Sequence, residues 1–76
     1  MIYSVRGRLA AVEPNLAVVE CAGVGYAVRT SSVTVSRLPA IGEEAMLYTY
    51  LHISEKAAEL FGFRDQNELS CFKMLI

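Results

Sequence analysis

The opening part of the chain alternates polar and apolar residues in a way typical of a half-buried β-strand. Arg6 and Arg8 fall between apolar or glycine positions from Val5 to Ala11, which gives the period of two that a strand requires. Glu13-Pro14-Asn15 is a turn signal, and Leu16 to Cys21 follows as an apolar, β-branched run. We therefore predict a β-hairpin whose first strand has one face made of Val5, Gly7, Leu9 and Ala11.

Two glycines interrupt the pattern after this hairpin. Gly23 and Gly25 permit the positive φ of a turn. The stretch from Tyr26 to Thr30 then predicts a short third strand, with Tyr26 and Val28 on the same face.

A short helix is predicted next. Ser31-Ser32 offers a helix cap, but the β-branched residues that follow weaken helix propensity, so we expect one or two helical turns. Pro39 should end them, and Pro39-Ala40-Ile41-Gly42 is typical of a turn.

The longest strand candidate runs from Glu44 to Ile53. Apolar side chains occupy both of its faces, which indicates a strand covered on both sides. A polar tip at residues 52–56 separates it from a fifth strand, Ala57 to Phe63, and a hairpin is the simplest connection. One face of the fourth strand carries Met46, Tyr48 and Tyr50, and the other carries Leu47, Leu51 and Ile53.

The last segment changes to a helical period. Asp65 and Glu68 form a capping box, and the apolar stripe that follows has no glycine stop. An open stripe of this kind needs further packing, so we expect the chain to be truncated within a longer protein. The stripe consists of Leu69, Phe72, Leu75 and Ile76.

Five short strands with a small helix between the third and fourth follow the element order of an OB-fold. We predict an all-β, five-stranded Greek-key barrel of that type, in which closure removes exposed strand edges. The expected organisation is a barrel domain over residues 1–64, followed by the first helix of a helical domain over residues 65–76.

Composition limits the chain to one small domain. It has 76 residues, of which 54% are hydrophobic and 20% charged, so disorder is disfavoured and some apolar surface is available for a partner subunit. Seven Lys and Arg residues against eight Asp and Glu residues give a net charge of −1. This balance disfavours a domain that grips nucleic acid unaided, because neutralising phosphates supplies most non-specific affinity.

The sequence favours a cytoplasmic location. No apolar run approaches the ~20 residues of a membrane span, and the N-terminus does not look secretory. Cys21 and Cys71 lie far apart without a CxxC motif, and we expect both to be reduced and buried.

Catalytic chemistry is not indicated. His52 is the only histidine, no serine or cysteine has a base partner by motif, and no metal-ligand spacing occurs. Gly23-Val24-Gly25 lacks the third glycine and the helix of a dinucleotide fingerprint. We predict a non-enzymatic protein with no metal and no cofactor.

The order of several short motifs resembles the RuvA N-terminal domain family, over the whole chain. The combination of a GVGY turn, an LFGF closure and a following helix is specific. The matching segments are Arg6-Gly7, Val19-Glu20, Gly23-Val24-Gly25-Tyr26, Leu38-Pro39, Gly42-Glu43-Glu44, Ser54-Glu55-Lys56-Ala57, Leu60-Phe61-Gly62-Phe63 and residues 68–76.

The resemblance implies a role in bacterial DNA recombination and repair, with links to DNA damage and the SOS response. In this family a homotetramer holds a four-way Holliday junction, and the RuvB motor hydrolyses ATP to drive branch migration, with the RuvC resolvase as a further partner. It also implies that most phosphate contacts come from helical hairpins of a second domain, so that the first domain contributes tetramer contacts and junction shaping.

The resemblance also suggests site residues. Glu55 falls at the first position of an acidic pin that repels phosphates at the crossover, but Lys56 stands in place of the usual second acid. Glu59 restores acidity only if a bulge near Gly62 turns it outward. Candidate DNA contacts are Arg29 and, more weakly, Arg8 and Arg64.

Two other functions remain open from the residues alone. An OB barrel can bind single-stranded nucleic acid by stacking bases on exposed aromatic side chains beside basic residues on its second and third strands. Alternatively, the domain is an oligomerisation scaffold without DNA affinity.

Overall fold

A computed structural model describes residues 2–75 and, among these, every side chain except those of Lys73 and Leu75. The structure has five strands and two helices. In chain order they are β1 (Ser4–Glu13), β2 (Leu16–Cys21), β3 (Val24–Arg29), α1 (Ser32–Ser36), β4 (Glu44–Ile53), β5 (Ala58–Phe63) and α2 (Gln66–Leu75).

The strands form a closed barrel in the order β1-β2-β3-β5-β4, with β4 returning to β1. Neighbouring strands are antiparallel except for β3 and β5, which are parallel. The short α1 lies in the chain between β3 and β4. This arrangement confirms the predicted OB-fold barrel.

The barrel interior is apolar and tightly filled. The four largest of the fully buried side chains each stabilise the fold by about 1.5–3 kcal/mol relative to an exposed position. They are Leu9, Val19, Val28 and Leu47. Two buried residues are polar, Thr34 and Thr49. The Thr49 hydroxyl donates to the carbonyl oxygen of Ile2 at 2.7 Å and the Thr34 hydroxyl accepts from that of Ser31 at 3.0 Å, so both hydroxyls have a partner.

A β-bulge changes the face of β1 in mid-strand. The pairing with β2 shifts register between Leu9 and Ala11, and Ala11 is consequently exposed. The prediction that Ala11 shares the buried face of Val5 and Leu9 is therefore wrong, because an inserted residue reverses the alternation beyond it.

The turn between β2 and β3 is tighter than predicted. Within this turn Ala22 and Gly23 have positive φ, 50° and 84°, as the central residues of a two-residue hairpin turn require. Gly25 is not part of the turn but pairs with Glu20 in the ladder. The third strand therefore begins at Val24 rather than Tyr26.

Strand β4 has the predicted bounds but is covered on both faces only in part. Its inner face buries Leu47 and Thr49, and the ring of Tyr48 on its outer face packs edge-on against Tyr3. Met46 and Ile53 remain 40% and 70% exposed. The prediction fails at Ile53 because the hairpin extends beyond the barrel core there.

Both helices begin as the sequence predicts. Ser31 caps α1 by accepting a hydrogen bond from the amide of Thr34, and the helix ends at Ser36, before Pro39. At α2, Asp65 Oδ1 accepts the amide of Glu68 at 2.9 Å. Glu68 in turn accepts the amide of Arg64 rather than that of Asp65, so the capping box is displaced by one residue.

Two residues of the predicted apolar stripe of α2, Leu69 and Phe72, pack on the outer face of the barrel. Leu69 is buried, and the ring of Phe72 lies 5.7 Å from that of Tyr50 and 5.0 Å from that of Phe63, centroid to centroid. The other two predicted stripe positions cannot be compared, because Ile76 lies outside the described residues and the side chain of Leu75 is not among those described. None of the helices described is long and apolar enough to cross a membrane.

The two cysteines are both free thiols. Cys21 is half-buried and donates to the carbonyl oxygen of Arg6 at 3.0 Å. Cys71 is exposed, so the prediction of two buried thiols is wrong for Cys71, which lies on the side of α2 away from its buried Leu69.

Gly62 should be essential to the barrel because its position has no room for a side chain. A Cβ there would clash with Cγ1 of Val28 and lie 3.2 Å from Cδ1 of Leu47. We expect Gly62→Ala to lower the free energy of unfolding by about 1–3 kcal/mol, as overpacked cores do. Urea denaturation measures this change.

Gly25→Ala is the matched control, since Gly25 also lies in a strand. A Cβ at Gly25 would have its nearest neighbour, Cγ1 of Val18, at 3.5 Å, which is an ordinary contact. Equal loss of stability in the two variants would show that the space around Gly62 is not limiting.

Candidate nucleic-acid interface

The hairpin between β4 and β5 ends in a tightly bonded polar turn. The amide of Ser54 donates to the carbonyl oxygen of Ala57 at 2.8 Å, and the Ser54 hydroxyl accepts the amide of Ala57 at 3.3 Å. The strands below it pair regularly as far as Ile53 and Ala58. Because short side-chain bonds of this kind fix turn geometry, the two residues between Ser54 and Ala57 occupy a defined apex.

That apex consists of Glu55 and Lys56, which we call the tip. Both side chains are exposed. Neither takes part in any ion pair formed among the described side chains. The tip therefore presents one negative and one positive charge to solvent.

Glu59 lies apart from the tip, on the outer face of β5. The pairing of β4 with β5 runs without a register shift from Tyr48 and Phe63 to Ile53 and Ala58, so the bulge that would redirect Glu59 is not present. Instead, Glu59 Oε1 is 3.1 Å from Nε of Arg29. The bulge on which the Glu59 hypothesis depended is therefore absent from these two strands, and the Glu59 carboxylate, which faces outward without it, has a cationic partner.

The arginines proposed to contact DNA all lie on the outside of the barrel, and each faces a carboxylate. Arg29 faces its carboxylate through Nε, whereas Arg8 donates a hydrogen bond from Nη2 to Glu20. The pairs are Arg6–Glu44 at 3.6 Å, Arg8–Glu20 at 2.8 Å, Arg29–Glu59 at 3.1 Å and Arg64–Asp65 at 3.9 Å. Exposed pairs of this kind contribute about 0–1 kcal/mol each to stability, but they offset the positive charge locally.

The fold leaves two cations, Lys56 and Arg37, without a carboxylate partner among the described side chains. The sequence identified Lys56 only as the replacement of an acid, and it could not show that these two cations differ from the paired arginines. Arg37 follows the last residue of α1. In the sequence, Glu55 and Lys56 are adjacent and their charges sum to zero, which suggests a neutral tip. In the structure the two side chains form no ion pair with each other.

The outer face of β2 and β3 offers no platform for base stacking. Tyr26 points the other way, toward the barrel core, against which it packs. The outward positions of these strands carry small, aliphatic or charged residues, namely Leu16, Val18, Glu20, Gly25, Ala27 and Arg29.

The aromatic residues cluster instead at β4, β5 and α2. Phe61, Phe63 and Phe72 form the apolar part of an open groove of about 700 Å³ with Asn15, Arg29 and Asn67 along it. No group of three or more His, Cys, Asp or Glu side chains that could hold a metal ion occurs within residues 2–75 as described.

The closed five-stranded topology with the helix between β3 and β4 places the chain in the class of OB-fold domains. Residues 1–62 match the family model described as RuvA N terminal domain. The chain belongs to this family.

Curated relatives align with the complete chain. The proteins named "Holliday junction branch migration complex subunit RuvA" from Lachnospira eligens and Acidobacterium capsulatum are 41% and 47% identical to it over 76 residues. A protein of the same name from Gloeobacter violaceus is 45% identical over 80 residues. In each case the chain is fully covered but spans only 37–39% of the relative's length.

The tip should depend on the Ser54 hydroxyl for its order. We expect Ser54→Ala to speed amide exchange at Ala57, whose N–H bonds that hydroxyl, by up to about tenfold, since one such bond contributes about 0.5–1.5 kcal/mol. Hydrogen exchange measured by NMR reports the change residue by residue.

Ser36→Ala serves as the control, because Ser36 Oγ bonds the carbonyl oxygen of Val33 in a different element. Exchange at Leu47 should be unaltered in both variants. Unchanged exchange at Ala57 in Ser54→Ala would mean that the backbone alone orders the tip.

Proposed function

We propose that this chain is the N-terminal, junction-shaping part of a Holliday junction branch-migration subunit that acts in DNA recombination and repair. The observation that carries the proposal is the match of residues 1–62 to the RuvA N-terminal domain, on a closed barrel with a charged hairpin tip. Relatives with the same N-terminal sequence pattern bear the name of such a subunit.

The proposed assembly is a homotetramer in which the barrel, residues 1–64, supplies contacts between copies. Residues 65–76 begin a helical domain, and the packing of Phe72 on the outer face of β4 and β5 supports a fixed junction between the two parts. The chain itself catalyses nothing in this proposal. A RuvB motor hydrolyses ATP, RuvC is a further partner, and the complex acts in the bacterial cytoplasm.

Glu55 is the proposed acidic pin. Two unit charges about 10 Å apart in water interact by ~0.4 kcal/mol, so four carboxylates near a crossover repel its phosphates by ~1–2 kcal/mol together. Such repulsion disfavours continuous duplex more than an open junction and therefore gives specificity. Lys56 offsets part of this repulsion, so we expect Glu55 to change the affinity for duplex DNA by only several-fold.

The alternative of single-strand binding by stacking loses support from the structure. Its platform would be the outer face of β2 and β3, and the aromatic residue of β3, Tyr26, packs against the core instead. The scaffold alternative predicts no DNA affinity in any longer form of the protein.

Neutralising the pin should weaken discrimination between junction and duplex. A chimera is the appropriate protein, in which residues 1–76 replace the aligned segment of the Acidobacterium capsulatum relative. In it, Glu55→Gln should raise affinity for linear duplex two- to fivefold, since each removed repulsion contributes a few tenths of a kcal/mol. Fluorescence anisotropy with a four-way junction and a duplex of equal length measures the ratio.

Glu13→Gln is the control for net charge, because Glu13 is exposed at the distant end of β1 and joins no ion pair formed between described side chains. Sedimentation velocity checks that each variant keeps its assembly state. An unaltered junction-to-duplex ratio in Glu55→Gln would count against the pin, and absence of DNA binding by the chimera would favour the scaffold.

Among the arginines we place Arg29 first as a phosphate contact, because the family resemblance puts it first and its exposed side chain lies along the groove of Phe61, Phe63 and Phe72. Arg29→Gln in the chimera should reduce the slope of log affinity against log salt by up to about 0.9 for each phosphate that the arginine neutralises. We expect smaller reductions for Arg8→Gln and Arg64→Gln, whose Nη2 atoms already face carboxylates.

Arg6→Gln is the control for this series, since Arg6 is also exposed and is paired with Glu44. A salt slope in Arg29→Gln equal to that in Arg6→Gln would remove Arg29 from the interface.

A further inference from the structure

The ion pairs on the barrel surface divide its cations into two groups. Arg6, Arg8, Arg29 and Arg64 each face a carboxylate. Lys56 and Arg37 do not, within the part of the chain whose side chains are described. The field of an unpaired cation is not offset by a neighbouring carboxylate, so the cation can bind a phosphate and release its counterions. A paired cation must first weaken its contact with the carboxylate.

The backbone of Lys56 lies inside a hydrogen-bonded turn. It lies one residue before Ala57, inside the turn that the Ser54 amide closes at 2.8 Å. Its ammonium extends from this fixed apex on a flexible four-carbon stem, which suits a point contact with a phosphate oxygen better than a bidentate one.

The carboxylates near the tip do not neutralise Lys56. Glu59, two residues beyond the turn, is held by Arg29 across the parallel strands at 3.1 Å. Glu55 precedes Lys56 directly but forms no ion pair with it. Exposed Ile53 and Ala58 flank the turn and add no charge.

We propose that Lys56 binds a backbone phosphate of the DNA that the tip approaches, while Glu55 repels the phosphate beside it. This inference rests on the proposed function, which places the tip at the crossover. The tip is then bipolar: its two charges fix where a phosphate can lie, instead of excluding phosphates altogether.

The test measures junction affinity of the chimera over a series of KCl concentrations. Lys56→Gln should reduce the magnitude of the salt slope by about 0.9 for each phosphate that the lysine neutralises. Lys56→Arg, which keeps the charge, should retain most of the slope. Arg37→Gln is the matched control, because it also removes one positive charge from a residue without an ion pair. Arg37 lies between α1 and β4, whereas the tip lies between β4 and β5.

The outcomes separate this inference from the proposed function. Equal slopes for Lys56→Gln and Arg37→Gln would overturn the inference, since only net charge would then matter. An unchanged slope in Lys56→Gln together with altered discrimination in Glu55→Gln would overturn the inference and leave the pin intact. A wild-type chimera that binds neither junction nor duplex would refute the proposed function and the inference with it.

Discussion

Closure of the barrel along the β3–β5 seam is the constraint on which the rest of this structure depends. This is the only parallel pairing among the described strands, and it holds just Val28 against Leu60 and Arg29 against Phe61. Side chains reinforce it: the Thr30 hydroxyl donates to the carbonyl oxygen of Gly62 at 2.7 Å, and Val28 fills the space that this glycine leaves. Because β5 is held on both edges, the β4–β5 hairpin projects from a rigid wall and its tip has a defined position.

The same seam organises the surface charge. It brings Glu59 to Arg29 and so separates the charges that are balanced on the barrel wall from those left free at the tip. A net charge of −1 says little about DNA affinity when most cations face carboxylates. What matters for the proposed function is the position of the few unpaired charges, because screened interactions act only over about a Debye length, ~8–10 Å. A small, nearly neutral domain can therefore shape a junction by placing two charges accurately, without providing most of the binding energy.

Much of the fold followed from local sequence. The bounds of β2 and β4, the Ser31 cap and the helix start at Asp65 were predictable because each depends on neighbouring residues. The errors occurred where the backbone departs from regular alternation or where burial depends on distant segments. The bulge after Leu9 exposes Ala11, and no residue type nearby announces it. Ile53 is apolar yet exposed, because it lies where the hairpin leaves the barrel.

The sequence by itself determined the order and type of the elements, the composition of the tip and the family resemblance, since these properties reside in short segments and their spacing. Only the tertiary structure decided which charges meet. Arg29 and Glu59 are far apart in sequence and become neighbours through barrel closure, whereas Glu55 and Lys56 are adjacent in sequence and remain unpaired. Electrostatic interaction depends on distance in space, and strand pairing between remote segments sets that distance.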